Sequence, residues 1–158
     1  MKNNKLLFLI VVIILIAVGW WWFGQSSDNS HIDVADNDQV AIPSGVFDTA
    51  PVITLDNVAG GEARGNAWLT IVKGVEYHKA EVNNLPALEN KDFYEGWLVD
   101  PKSEEFFSTG VMKDQGDGTF TLEYSTTEPK DSYTYVVITL EPDDGNPDPA
   151  THILEGAF

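Results

Sequence analysis

The segment Glu141-Pro142-Asp143-Asp144-Gly145-Asn146-Pro147-Asp148-Pro149 holds the most concentrated set of hard oxygen donors in the chain. Asp143, Asp144, Asn146 and Asp148 could converge on one calcium ion, which takes carboxylate and amide oxygens. The same residue types also build tight turns for backbone reasons. Asx side chains accept hydrogen bonds from nearby N–H groups, glycine tolerates positive φ, and proline fixes φ. Both readings stand at this stage, with Ca²⁺ as the one candidate cofactor. A second acidic stretch, Asp33, Asp36, Asn37 and Asp38, lacks the glycine turn and closing glutamate of an EF-hand and reads as solvated linker.

Other chemistry finds less support. His31, His78 and His152 never occur at metal-like spacing. There is no cysteine, hence neither disulfides nor thiol chemistry. No G-x-S-x-G elbow frames a nucleophile, and Gly60, Gly61, Gly65 and Gly74 do not form a phosphate loop. No catalytic residue is expected, and the chain does not read as an enzyme. Tyr94, Trp97, Phe106, Phe107 and Tyr133 could line a groove or an interface, although a domain without disulfides needs most of that apolar area for its core. Trp68 and Trp97 are the expected core pillars.

Charge narrows the partners. The formal net charge is −16, and all twenty-five acidic residues lie beyond Gly24. Such a surface repels nucleic acid and anionic lipid headgroups, and it attracts cations or a basic protein.

The elements that would position these groups follow from hydropathy. Leu6–Phe23 contains no charge, and its eighteen residues are long enough to cross a bilayer core of roughly 30 Å as a helix. Lys2 and Lys5 favour a cytoplasmic N-terminus, and Trp20, Trp21 and Trp22 suit the outer interface. Ala17-Val18-Gly19 offers a signal-peptidase pattern, but cleavage there would leave a mature N-terminus starting at Trp20, so the segment reads as a retained anchor. The expected organisation is a short cytoplasmic tail over 1–5, a transmembrane helix over 6–23, a flexible acidic linker over 24–45 and an exported β-domain over 46–158. The chain would thus be a single-pass protein of the cell membrane.

Within the β-domain, seven runs read as strands: 52–55, 67–72, 75–82, 93–99, 106–112, 119–124 and 133–140. Lys73-Gly74 has the form of a hairpin turn. In 75–82 the residues Val75, Tyr77, Lys79 and Glu81 alternate against Glu76, His78, Ala80 and Val82, and neither set is clearly apolar. Residues 85–90 allow one helical turn at most. About seven short strands predict an all-β fold, a β-sandwich or a small Greek-key barrel, behind one N-terminal transmembrane helix.

Phe93-Tyr94-Glu95-Gly96-Trp97-Leu98-Val99, Phe107-Ser108-Thr109-Gly110, and Tyr135-Val136-Val137-Ile138-Thr139-Leu140-Glu141-Pro142 with its Gly- and Pro-rich turn carry a resemblance. They resemble the extracytoplasmic domain of anti-sigma-K (RskA-like) anti-sigma factors over roughly Leu55 to Phe158. The resemblance implies a β-rich, non-enzymatic module carried outside the membrane by one span. Family members place a helical sigma-binding domain before that span, whereas only Met1–Lys5 precede it here. The expectation is therefore the outer module without direct sigma-factor binding, engaging an envelope or membrane protein. The alternative is a calcium-dependent surface or adhesion module using Asp143–Asp148.

Overall fold

A computed structural model describes residues 39–158. The apolar span 6–23 and most of the linker, with Asp33, Asp36, Asn37, Asp38 and His31, lie outside the described residues. The described chain forms nine strands: β1 (Val52–Asn57), β2 (Arg64–Val72), β3 (Val75–Asn83), β4 (Phe93–Val99), β5 (Phe106–Val111), β6 (Lys113–Asp114), β7 (Thr119–Thr126), β8 (Tyr135–Glu141) and β9 (Thr151–Ala157). No helix occurs among the described residues, and 85–90 is an irregular connection.

The strands make one antiparallel sheet in the order β5-β4-β8-β9-β1-β2-β3-β7-β6. Its two edge strands are consecutive in the chain, because only Met112 separates β5 from β6. One extended run therefore pairs with β4 through its first part and with β7 through its second. That shared run curls the sheet into a nearly closed barrel and leaves little exposed edge. At the junction the Met112 N–H donates to the Tyr94 carbonyl at 2.8 Å, and the Met112 side chain is buried. β1 turns the opposite corner in the same way. Val52–Leu55 pair with β2, while Asp56 and Asn57 pair with β9.

Alternation then places one face of each strand inside. The core contains Leu55, Ala67, Ala80, Val82, Tyr94, Leu98, Leu122, Val136, Ile138, Ile153 and Leu154. β8 lies between β4 and β9, as its β-branched, aromatic sequence predicts, and it is buried along most of its length. Lys73 and Gly74, at φ of 53° and 80°, form the β2–β3 hairpin. Two residues take left-handed conformations there, which suits a tight two-residue turn.

Two expectations need correction. Among the described residues the strands number nine, not about seven. β6 is only two residues long, and β9 conceals its alternation because Ile153 and Leu154 are adjacent yet both buried. The register shift between Ile138 and Thr139 is the reason: Ile138 opposes Leu154, Thr139 opposes His152, and Ile153 is left as the extra residue. The second correction concerns Trp68. It sits next to the inward-facing Ala67, so it points outward, and the Lys79 ammonium lies 5.1 Å from its ring centroid. Trp97 is buried, but on the outer face of its sheet.

Close approach fixes one residue type. A Cβ at Gly65 would stand 2.6 Å from the Glu81 carbonyl oxygen and 2.8 Å from Val82 Cγ2. The first of these is backbone and cannot swing away. We predict that Gly65→Ala destabilises the domain by about 1–3 kcal/mol, measured by urea unfolding. An unchanged midpoint would show that β2 and β3 can separate without cost.

Candidate functional site

The inward parity of β3 carries Ala80 and Val82 into the core, and it carries Glu76 and His78 inside with them. Both are nearly inaccessible, at 1% and 0% exposure. They lie where the barrel interior approaches the β7–β8 loop, residues 127–134. The Lys130 N–H of that loop donates to Glu76 Oε2 at 2.8 Å, while Glu76 Oε1 is buried with no partner among the described residues. A cleft of about 310 Å³ opens beside it, lined by Pro51, Leu69, Thr70, Ile71, Glu76, Lys130 and Asp131. Burial, reinforced by the nearby Asp131 carboxylate, pushes the Glu76 carboxyl above its ordinary range, against the lowering effect of the Lys130 N–H.

Burial acts on His78 in the other direction. It pulls the imidazole down to about 4, so the ring is neutral at ordinary pH. Nδ1 lies 3.1 Å from the Trp68 carbonyl oxygen, which assigns it the proton, and Nε2 is then an acceptor without a partner among the described residues. The Lys130 ammonium lies over two rings at the same end of the barrel, 4.3 Å from the centroid of Phe107 and 5.2 Å from that of Tyr133. Those rings are themselves 5.1 Å apart.

A second polar cluster covers the outer face of β4, β8 and β9. Trp97 Nε1 donates to Thr139 Oγ1 at 2.8 Å, and the Phe106 ring meets the indole edge-on at 5.8 Å. The Ser108 hydroxyl donates to Glu95 Oε1 and accepts from the Gly110 N–H at 3.0 Å. Burial raises the Glu95 carboxyl, and the Ser108 bond partly offsets the rise. Further along, the Tyr135 hydroxyl donates to Glu155 Oε2 at 2.5 Å, and His152 Nδ1 lies 2.6 Å from Glu155 Oε1. The His152 bond holds the Glu155 carboxyl below its usual value, and burial raises the Tyr135 hydroxyl.

The Y-x-x-W-L-V, T-G and I-T-L-E-P residues are thus largely architectural. β5, β4 and β8 are adjacent, and Tyr94 donates to the Pro86 carbonyl at 2.7 Å. Thr109 is the extra residue opposite the Gly96–Trp97 step, and Gly110 follows it at φ of 112°. Glu141 Oε1 accepts from the Ala150 N–H at 2.9 Å and so closes the Pro-rich loop.

Inside that loop two of the four candidate calcium donors, Asp144 and Asn146, have backbone partners. Asp144 Oδ1 accepts from the Asn146 N–H at 2.8 Å, and Asn146 Oδ1 accepts from the Asp148 N–H at 3.2 Å. Asp143 Oδ2 lies 3.6 Å from Lys91 Nζ. Among the described residues no three His, Cys, Asp or Glu side chains gather closely enough to hold a metal ion. His78 and His152 face opposite sides of the sheet, in the interior and on the outer surface respectively. Glu76 was not singled out from the sequence. The available signal was its parity, which it shares with Ala80 and Val82.

Two predictions arise here. The unfolded His78 side chain binds its proton near pH 6.5 and the folded one near 4, so the unfolded state holds more protons between those values. Stability is therefore retained above pH 6.5 and lost as pH falls toward 4, by on the order of 3 kcal/mol. Glu76 acts oppositely: its raised folded value favours the fold at low pH, and that contribution is lost as pH rises through it. In urea unfolding near pH 7 and near pH 4.5, His78→Leu should lose less stability on acidification than the native chain. Equal losses would remove His78 as the titrating group. Separately, the turn bonds of Asp144 and Asn146 predict no difference in Tm between excess calcium and chelator. A specific ion present at about 100 times its Kd would contribute about 2.7 kcal/mol, so a clear rise would favour the calcium reading.

Neither the curated proteins nor the solved structures yielded a match to this chain. A family model described as "Anti-sigma-K factor rskA, C-terminal" matches residues 6–153, which span both the apolar run and nearly all of the barrel. The chain belongs to the anti-sigma-K factor RskA C-terminal family.

Proposed function

We propose that this chain is a membrane-anchored, extracytoplasmic regulatory domain that works by binding an envelope protein and performs no catalysis. The observation that carries the reading is the extent of the family match, which begins at the first residue of the apolar stretch and continues through the barrel. In this reading Leu6–Phe23 spans the bilayer once, Lys2 and Lys5 stay cytoplasmic, and the acidic linker lifts the barrel away from the headgroups. The barrel's chemistry suits binding better than turnover, since Glu95 and Glu155 are tied into hydrogen bonds that hold strands together. The acidic surface favours a basic partner and speeds its encounter. Direct capture of a sigma factor is not part of this proposal.

The test is in-cell crosslinking of the tagged full-length protein, followed by identification of what co-purifies from the membrane. A discrete envelope protein should be recovered, and deletion of residues 43–158 should abolish its recovery. Recovery of the chain alone, under crosslinking that captures a control pair, would refute the reading.

A further inference from the structure

We infer that the cleft beside Glu76 receives one cationic side chain of the partner protein, an ammonium or guanidinium on an aliphatic stem, with Glu76 Oε1 as its acceptor. This rests on the binding function proposed above and names the contact through which it operates. The carboxylate is fixed but half used. Oε2 is held by the Lys130 N–H at 2.8 Å, whereas Oε1 is buried without a partner among the described residues. A buried acceptor left unmade is costly, and a charged donor is the partner that offsets the cost most fully.

The surroundings select the ligand. Asp131 adds a second negative charge to the lining. The Lys130 ammonium, the cation of the lining, lies over the rings of Phe107 and Tyr133, and from there its charge also favours the ionised form of Glu76 through space. Pro51, Leu69 and Ile71 supply apolar walls along which a methylene stem can lie while its charged head reaches the carboxylate. At about 310 Å³ the cleft is at the small end of ligand sites, sized for one side chain. Ile71, half-exposed at the rim, offers apolar contact for the residues flanking that side chain. Because the ionised carboxylate is the binding form, affinity should increase as pH rises through the Glu76 transition.

The experiment is an amide-shift NMR titration of the ¹⁵N-labelled full chain in detergent micelles. The probes are n-butylammonium, n-butanol, and an end-blocked Ala-Lys-Ala peptide. Saturable shifts confined to Thr70, Ile71, Glu76, Lys130 and their neighbours are expected with the ammonium and the peptide but not with butanol. Glu76→Gln, which keeps the shape and an acceptor for the Lys130 N–H, should weaken binding roughly tenfold or more. The exposed change Asp131→Asn should weaken it severalfold and serves if Glu76→Gln fails to fold. Tighter binding of the peptide than of the amine supports a protein side chain, whereas equal binding overturns that source in favour of a free amine. No localised shift, an equal response to butanol, or unchanged affinity in both variants overturns the site. Crosslinking separates the two levels. A partner captured equally by native and Glu76→Gln chains removes the cleft alone, and the absence of any partner removes the binding function.

Discussion

Closure by a single extended run, residues 106–114, is the constraint on which the rest of the structure depends. A sheet of this length would otherwise end in two open edges, each offering unpaired N–H and C=O groups to any neighbouring chain. By pairing with β4 through β5 and with β7 through β6, the run satisfies both edges with one piece of backbone. The switch needs a bend, and the local sequence supplies it. Thr109 is the extra residue of a bulge, Gly110 takes φ of 112°, and buried Met112 pins the junction to Tyr94. With no cysteine in the chain, this closure and the packed interior must hold the fold without covalent help.

Much of the architecture was legible because strand parity is a local property. Thr119-Phe-Thr-Leu-Glu-Tyr124 alternates cleanly, and in β7 Leu122 and Tyr124 are buried while Glu123 is exposed. β8 was readable as a central strand from its composition alone. What escaped were features set by partners distant in sequence. β9 breaks alternation because its bulge is imposed by β8, and β6 is too short to register in any window. Trp68 misled because a large aromatic looks like core, whereas its neighbour Ala67 takes the inward position. Membership of the RskA family was legible from the β4, β5 and β8 motifs, which prove to be adjacent strands.

The site was less legible than the fold, for a physical reason. Acidic residues are so abundant that a cluster along the sequence carries little information, and the densest one, Asp143–Asp148, uses Asp144 and Asn146 to shape its own turns. The informative carboxylate stands alone. Glu76 occupies an inward position of β3, a place where an ionisable group costs stability unless something pairs with it. Its ambiguity in the sequence was itself the signal: a strand that cannot be assigned an apolar face is carrying polar groups inward.

The location of these polar groups divides the inward face of β3 into an apolar part and a polar part. Toward the glycine-tight part of β2 and β3, Gly65 lets the strands pack closely over Ala67, Ala80 and Val82, which are fully buried. Two residues further along the inward face of β3, apolar packing gives way to His78 and then to Glu76, whose Oε2 accepts from a backbone N–H of the β7–β8 loop. That loop is itself anchored on the barrel, by Tyr133 packed against the core and by the Lys130 ammonium over the Phe107 and Tyr133 rings, so it holds the Glu76 carboxylate in place. Glu76 thus stands where the close packing of β2 against β3 ends and the β7–β8 loop takes over, so its burial is sustained by that loop as well as by the ladder.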